Sequence, residues 1–248
     1  MRVLNYNIRY ATGIGPGFHF PLPLAGYLRP TGKNLARITR FIEDLKPDLV
    51  GLTEVDMGSF RAGAVNQAEH IAEALGHFHS FESKYAYHSL NTRLPIVKKQ
   101  GNAILTSQPI VQEHFHYFDA GIKRLILEIE LDEVVMYLVH LSVKYRHRHY
   151  QLRNLHSLIS QRRKPVIVAG DFNTFWGDYE MHLFMEAARL RNANPTGEPT
   201  YPSWAPSRQL DFILHSDGLE VDHFEVPDIR LSDHLPLVCD FRVTGQGR

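Results

Sequence analysis

Short apolar runs alternate with longer amphipathic stretches along the chain. Residues 2–8 (RVLNYNI), 48–55 (DLVGLTEV), 101–107 (GNAILTS), 124–131 (RLILEIEL), 134–143 (VVMYLVHLSV), 165–173 (PVIVAGDFN), 210–216 (LDFILHS) and 235–243 (LPLVCDFRV) have the apolar and β-branched character of strands. In 124–131, Leu125, Leu127, Ile129 and Leu131 share one face, as in a sheet covered on that side. Helical spacing appears between these runs. Leu35, Ile38, Ile42 and Leu45 form a stripe in 33–45 that Pro47 stops, and Gly76 is suited to cap 64–76. Leu152, Leu155 and Ile159 predict a helix over 147–163, and 179–194 reads the same way. Many strands with few helices between them predict two packed sheets with helices outside, in one domain over 1–248.

Two Gly/Pro-rich pieces, 11–32 and 194–209, are long for simple connections and carry aromatic residues, so they read as functional loops. Composition narrows the partners only a little. Apolar residues make up 44% of the 248, enough for a sizeable core, and 27 Lys+Arg balance 27 Asp+Glu. Global charge therefore gives no argument for a nucleic-acid partner. The single cysteine, Cys239, lies in an apolar run and reads as a small buried residue. No stretch has the length of a membrane span, and the N-terminus enters a strand without a signal-peptide core. A soluble, cytoplasmic protein with no stable protein partner is the expectation.

Polar residues recur at the ends of the apolar runs: Asn5 and Asn7, Glu54, His140, Asp171 and Asn173, Asp211, and Asp233 with His234. Each alone has an ordinary explanation. Asp171 and Asn173 sit two apart after VIVAG, where they could form a turn or half of a site. A set of carboxylates, amides and histidines aimed at one rim needs neutralising, and a hard cation does that with oxygen ligands.

The blocks Asn7, LTEV (52–55), HL (140–141), GDFN (170–173), LDFI (210–213) and SDHLPL (232–237), in this order, resemble the endonuclease/exonuclease/phosphatase family of metal-dependent phosphoesterases. The resemblance covers nearly the whole chain. It implies an α/β fold, a four-layer α-β-β-α sandwich of two mostly antiparallel sheets with helices outside. It implies Mg²⁺ or Mn²⁺ as cofactor. Glu54 resembles the principal metal ligand with Asn7 beside it, and Asp233 stands close to that metal. Asp171 and Asn173 resemble the pair that holds the attacking water and a phosphate oxygen, or a second metal. His234 resembles the histidine beside the scissile phosphate, oriented by Asp211, and His140 the second phosphate-contacting histidine. The implied catalytic set is His140, Asp171, Asn173, Asp211 and His234. The implied metal set is Asn7, Glu54, Asp171, Asn173, Asp233 and His234. Either Asp171 or His234 could be the base.

The implied activity is phosphodiester hydrolysis by water, on a small molecule, a phospholipid headgroup or a nucleic acid. A DNA or RNA nuclease is the alternative, and a non-catalytic binding domain would need a missing ligand. Abasic-site endonucleases carry an acidic residue where Arg9 stands and a tyrosine where His140 stands, which turns the reading from that branch. Residues 146–153 (RHRHYQLR) read as a solvated helix face that could touch phosphates. Arg93, Lys98 and Lys99 could face the substrate. Phe18, Phe20, Tyr27 and Trp204 could stack on a base or line a pocket, or pack within their loops. The pairs His77/His79, His114/His116 and His147/His149 lack a third ligand nearby and do not read as zinc sites.

Overall fold

One parallel strand pair lies at the centre of each half of the chain. The structure is a computed structural model that describes residues 1–14, 30–83, 99–118, 125–175, 177 and 179–244. In the first half, β1 (Arg2–Asn7) runs parallel to β2 (Leu49–Asp56), with α1 (Gly32–Leu45) between them in sequence. α2 (Gln67–Leu75), β3 (Phe78–Ser83), β4 (Gln100–Thr106), β5 (Gln112–Tyr117) and β6 (Leu125–Glu130) follow. In the second half, β7 (Val135–His140) runs parallel to β8 (Val166–Asp171), with α3 (Tyr145–Ile159) between them. The chain continues through α4 (Tyr179–Ala188), β9 (Arg191–Asn192), β10 (Asp211–His215), β11 (Leu219–Glu225) and β12 (Leu237–Val243).

Among the described residues the strands form two six-stranded mixed sheets, ordered β11-β12-β1-β2-β4-β3 and β5-β6-β7-β8-β10-β9. All pairings other than β1–β2 and β7–β8 are antiparallel. Alternate side chains of each strand go to opposite faces, and in the central strands both faces are covered. Val3, Ile104, Leu127, Leu138, Ile213 and Cys239 belong to the core between the sheets. Leu4 and Leu52 pack outward with Ile38 and Ile42 of α1 and Ile71 of α2. Tyr137, Val139 and Val168 pack outward with Leu155 of α3 and Phe184 of α4. The result is the four-layer α-β-β-α sandwich, and each fully buried Leu or Ile contributes about 1.5–3 kcal/mol.

Local signals fix the helix ends. α1 stops at Lys46 in the left-handed conformation, just before Pro47. α2 starts where the Asn66 side chain accepts the Ala68 N–H, and Gly76, at φ 64°, ends it. No helix among the described residues is long and apolar enough to cross a membrane.

The structure departs from the sequence reading at several places, among them the helix expected over 147–163, which spans Tyr145–Ile159. β3, β5, β9 and β11 are additional strands, and the tail of the helix expected over 179–194 is β9. β7 ends at His140, so 141–143 is a loop. β6 is covered on both faces, because Ile126 and Glu128 are as buried as the inward leucines. Residues 146–153 are not simply a solvated face, since Arg148 and Gln151 are fully buried.

Candidate active site

The two parallel pairs end at the same rim. Ligand sites in open parallel sheets form at the carboxyl ends of strands. Here four such ends deliver Asn7 (β1), Glu54 (β2), His140 (β7) and Asp171 (β8). β10 enters the rim from the other direction with Asp211, directly opposite Asp171 in the β8–β10 register. The loop before β12 supplies Asp233 and His234.

Asp171 lies at the centre. Its Oδ2 accepts from Asn7 Nδ2 at 3.1 Å and lies 3.2 Å from His140 Nε2 and 4.0 Å from His234 Nε2. Its Oδ1 accepts the Asn173 N–H at 3.0 Å. Gly170 makes this approach possible. Its φ is 143°, and a Cβ there would meet Val139 O at 1.9 Å, so β8 can lie against β7 only with glycine. Asn173 adopts φ 53°, and its Nδ2 donates to Leu141 O at 3.0 Å, which leaves its Oδ1 and one N–H for other partners.

His234 and Asp211 form a buried pair. Nδ1 of His234 lies 2.7 Å from Oδ2 of Asp211, and Thr200 Oγ1 donates to the same oxygen at 2.6 Å. Burial alone would lower the His234 pKa. The charge and hydrogen bond of Asp211, then the charges of Asp171 and Asp233, outweigh it and push the value up to about 10. Burial also raises the Asp211 carboxyl, against the pull of His234. For the pair as a unit, the proton stays bound through neutral pH, with Nδ1 facing the carboxylate.

Glu54 sits at a bulge in β2, between Leu52 and Val55, with φ 57°. Its N–H donates to Asn102 Oδ1 at 3.4 Å, and its Oε1 lies 3.9 Å from His140 Nε2. Asp233 lies across the rim, where its Oδ2 is 3.4 Å from Arg9 Nε. Arg9 occupies an unusual turn in which Arg9, Tyr10 and Ala11 all have positive φ, at 44°, 56° and 54°. Such a conformation costs about 1–2 kcal/mol per residue. Buried polar contacts hold it in place. The Arg61 guanidinium lies 4.5 Å from the Tyr10 ring centroid, Tyr10 Oη donates to Gln100 Oε1 at 3.1 Å, and Gln67 Nε2 donates to Tyr10 O at 2.8 Å.

The loop at 194–209 is folded onto the His234 segment. Ser203 N–H donates to Asp233 O, Ser203 Oγ to Ser232 O and Leu235 N–H to Thr200 O. The Tyr201 ring lies 4.9 Å from the His234 ring, with Phe175 and Trp204 at its edges, 5.6 and 6.3 Å away.

The residues expected from the sequence thus occupy one rim. Asn7, His140, Asp171, Asn173, Asp211 and His234 are linked by direct contacts, Glu54 joins through His140, and Asp233 joins through Arg9. Arg9, Thr200, Ser203, Tyr201 and Arg148 are additions. Arg9 had a usable signal, standing two residues after Asn7. The others act through backbone and side-chain contacts between distant parts of the chain that leave no sequence pattern. Phe18, Phe20, Tyr27, Arg93 and Lys98, and most of the loop at 11–32, lie outside the described residues. Lys99 is exposed. The HxH pairs form no metal-binding group among the described residues, and His116 instead pairs with buried Glu128.

The donor set fits a hard divalent cation. Asp171, Asp211 and His234 bring polar atoms within 4.8 Å of one another, all buried, but a protonated His234 has no lone pair for a cation, so the fitting donors are the oxygens of Asn7, Glu54, Asp171, Asn173 and Asp233. Among the described residues, four carboxylates (Glu54, Asp171, Asp211, Asp233) gather at this rim with Arg9 and His234. Carboxylate and amide oxygens are the ligands that Mg²⁺ and Mn²⁺ take.

Comparison with known proteins agrees with this architecture. A family model described as "Endonuclease/Exonuclease/phosphatase family" matches residues 4–234. UPF0294 protein VP2298 of Vibrio parahaemolyticus serotype O3:K6 (strain RIMD 2210633) is 30% identical over 101 residues, which are 37% of this chain and 32% of that protein. The match therefore spans about a third of that relative. Among solved structures, an endonuclease/exonuclease/phosphatase from Beutenbergia cavernae DSM 12333 superposes with TM-score 0.74 at 20% identity, over 99% of this chain and 72% of that one. Mannosyl-6-phosphatase Bt3783 of Bacteroides thetaiotaomicron VPI-5482 superposes with TM-score 0.76 at 15% identity, over 98% and 99%. At these identities the structural likeness concerns the fold.

Proposed function

Because the chain belongs to the endonuclease/exonuclease/phosphatase family, a family of hydrolases that typically use divalent metals, we propose that it is a Mg²⁺- or Mn²⁺-dependent phosphodiesterase, built as a single domain, that hydrolyses P–O bonds by direct attack of water. The observation that carries this reading is the convergence on Asp171 Oδ2 of Asn7, His140 and His234.

The roles follow from the protonation states. The hydrogen bond of His234 Nδ1 to Asp211 favours the protonated ring, so His234 can serve as a cationic donor, with Nε2–H available to a phosphoryl or leaving oxygen. It is then a poor base. That task falls to Asp171, whose carboxylate is held by the Asn173 N–H and Asn7 Nδ2 and can take a proton from water. Asn173 and His140 flank it and can hold a phosphate oxygen. Asn7, Glu54 and Asp233 would hold the metal, with Asp171 and Asn173 on its open side. The metal's chemistry there is neutralisation of charge on the phosphoryl group.

A nuclease is the second reading. The half-buried Tyr201 and the exposed Trp204 beside His234 favour it, because an aromatic surface next to the reacting group can stack a base. The likeness to a mannosyl-6-phosphatase keeps a phosphomonoester among the substrates to try.

The test is a panel of a phosphomonoester, a simple diester, a choline phospholipid, and single- and double-stranded nucleic acid, each with Mg²⁺ or Mn²⁺. The proposal expects metal-dependent turnover of a diester that Glu54→Gln and His234→Ala abolish. Wild-type turnover in either variant, or no turnover of any phosphoester, overturns it. Preference for nucleic acid with loss at high salt selects the second reading.

A further inference from the structure

Arg148 is fully buried on α3, although its neighbours Arg146, His149 and Tyr150 are exposed. A guanidinium is tolerated out of water only where its donors are engaged. Its Nη1 lies within hydrogen-bonding distance of three carbonyl oxygens: Ser142 at 3.0 Å, Val143 at 3.0 Å and Asn173 at 2.9 Å. Nε donates to Glu180 Oε1 of α4, and Nη2 pairs with the same carboxylate.

These acceptors belong to two loops of the candidate site. Ser142 and Val143 follow His140 at the end of β7, and Asn173 follows Asp171 at the end of β8. Gln151, three residues along α3, accepts the Ser142 N–H at 2.8 Å. One buried face of α3 therefore ties down both loops. Asn173 sits at φ 53°, in the left-handed region that asparagine adopts more readily than most residues other than glycine. Three contacts hold it there: its N–H on Asp171 Oδ1, its Nδ2 on Leu141 O, and its carbonyl on Arg148.

We propose that Arg148 is a positioning residue that fixes Asn173 in its left-handed conformation and so sets the Asp171–Asn173 pair against His140. The competing role is a plain staple between α3 and α4 through Glu180. A staple would stabilise the whole domain evenly. A positioning residue has its effect at the two loops and through Asn173.

The kinetic consequence rests on the phosphoesterase reading, while the geometry does not, so the test has two arms. In the first, amide hydrogen exchange is compared between wild type and Arg148→Lys, which keeps the charge but not the fork. Protection of the Ser142 and Asn173 amides is expected to fall about tenfold or more, with Leu138 and Ala169 unchanged within about twofold. Unchanged protection at Ser142 and Asn173, or an equal loss across the strands, overturns the proposal. In the second arm, Arg148→Lys is expected to lower kcat about tenfold, with KM within about twofold. The same substitution in an Asn173→Ala background is expected to lower kcat less than about twofold. An equal effect in both backgrounds overturns action through Asn173. Should Arg148→Lys not fold, Glu180→Gln, which loosens the fork's anchor and keeps its shape, supplies the same two arms. If wild type turns over no phosphoester, the proposed function falls and the exchange arm still decides the role of Arg148.

Discussion

Asp171 and Asp211 stand directly opposite each other across the antiparallel β8–β10 pair, and both are buried. Like charges in that relation repel. His234 lies between them, with Nδ1 2.7 Å from Asp211 Oδ2 and Nε2 4.0 Å from Asp171 Oδ2. Burial alone would lower its pKa, but Asp211 by charge and hydrogen bond, then the charges of Asp171 and Asp233, raise it to about 10.

Asp211→Asn removes the main influence that raises His234. A general acid or an oriented cation lost in this way lowers kcat by about 10²–10⁴-fold. The alkaline limb of the pH–rate profile moves down towards the ordinary histidine value of about 6.5. The sign follows from the raised pKa: the protonated form, and the stability it brings to the fold, is fully present below about 6.5 and is lost as pH rises through about 10. A pH series of kcat and of melting temperature on wild type and variant checks both. An unmoved alkaline limb would assign the rise to something other than Asp211.

Metal binding is expected to show in stability as well as in rate. A ligand at 100 times its Kd adds about 2.7 kcal/mol to a folded protein that alone can bind it. For a chain of this size that is roughly a 5–10 °C rise in Tm. Mg²⁺ or Mn²⁺ should produce the rise, EDTA should remove it, and Glu54→Gln should largely abolish it. Differential scanning fluorimetry across a metal titration makes the measurement. An equal rise in Glu54→Gln would place the ion elsewhere.

The central strands and the residues at their ends were legible in the sequence because burial on both faces forces unbroken apolar runs. A polar residue that closes such a run, as Asp171 closes VIVAG, then stands out. The edge strands β3 and β5 were not legible. Their residues FHSFES and QEHFHY lie largely at or near solvent, so nothing requires an apolar pattern. By charge and spacing Arg148 matches a solvated helix face. Its burial depends on Glu180 and on loop carbonyls from distant parts of the chain. The place of 194–209 against His234 was equally hidden, since backbone hydrogen bonds such as Ser203 N–H to Asp233 O leave no trace in residue type.

Acid should weaken the fold before its carboxylates titrate. Burial lowers the pKa of His215, which packs 5.4 Å from the Phe241 ring, and likewise that of His77. The folded state therefore keeps both neutral. Their contribution is complete above the unfolded value of about 6.5 and is lost as pH falls through the lower folded values, with a slope of at most about 1.4 kcal/mol per pH unit for each. Thermal melts between pH 7.5 and 5.5 should show a falling Tm. His215→Gln should flatten that fall, and an unchanged slope would acquit His215.

Tyr201 offers a separate handle on the same imidazolium. Its ring lies 4.9 Å from the His234 ring at an interplanar angle of 51°, and the Tyr201 loop is pinned to the His234 loop by Ser203 and Thr200. An aromatic face near a cation stabilises it by about 0.5–2 kcal/mol, least where water has access. Tyr201→Ala removes the ring and admits water, and each 1.36 kcal/mol corresponds to about one pKa unit. The alkaline limb should fall by roughly 0.4–1.5 pH units, less than in Asp211→Asn because the Asp211 carboxylate remains. Tyr201→Phe keeps the ring and should retain the wild-type limb within about 0.3 units, since the hydroxyl adds little to the face. A limb that moves equally in Tyr201→Phe and Tyr201→Ala would assign the effect to the phenol and not to the ring.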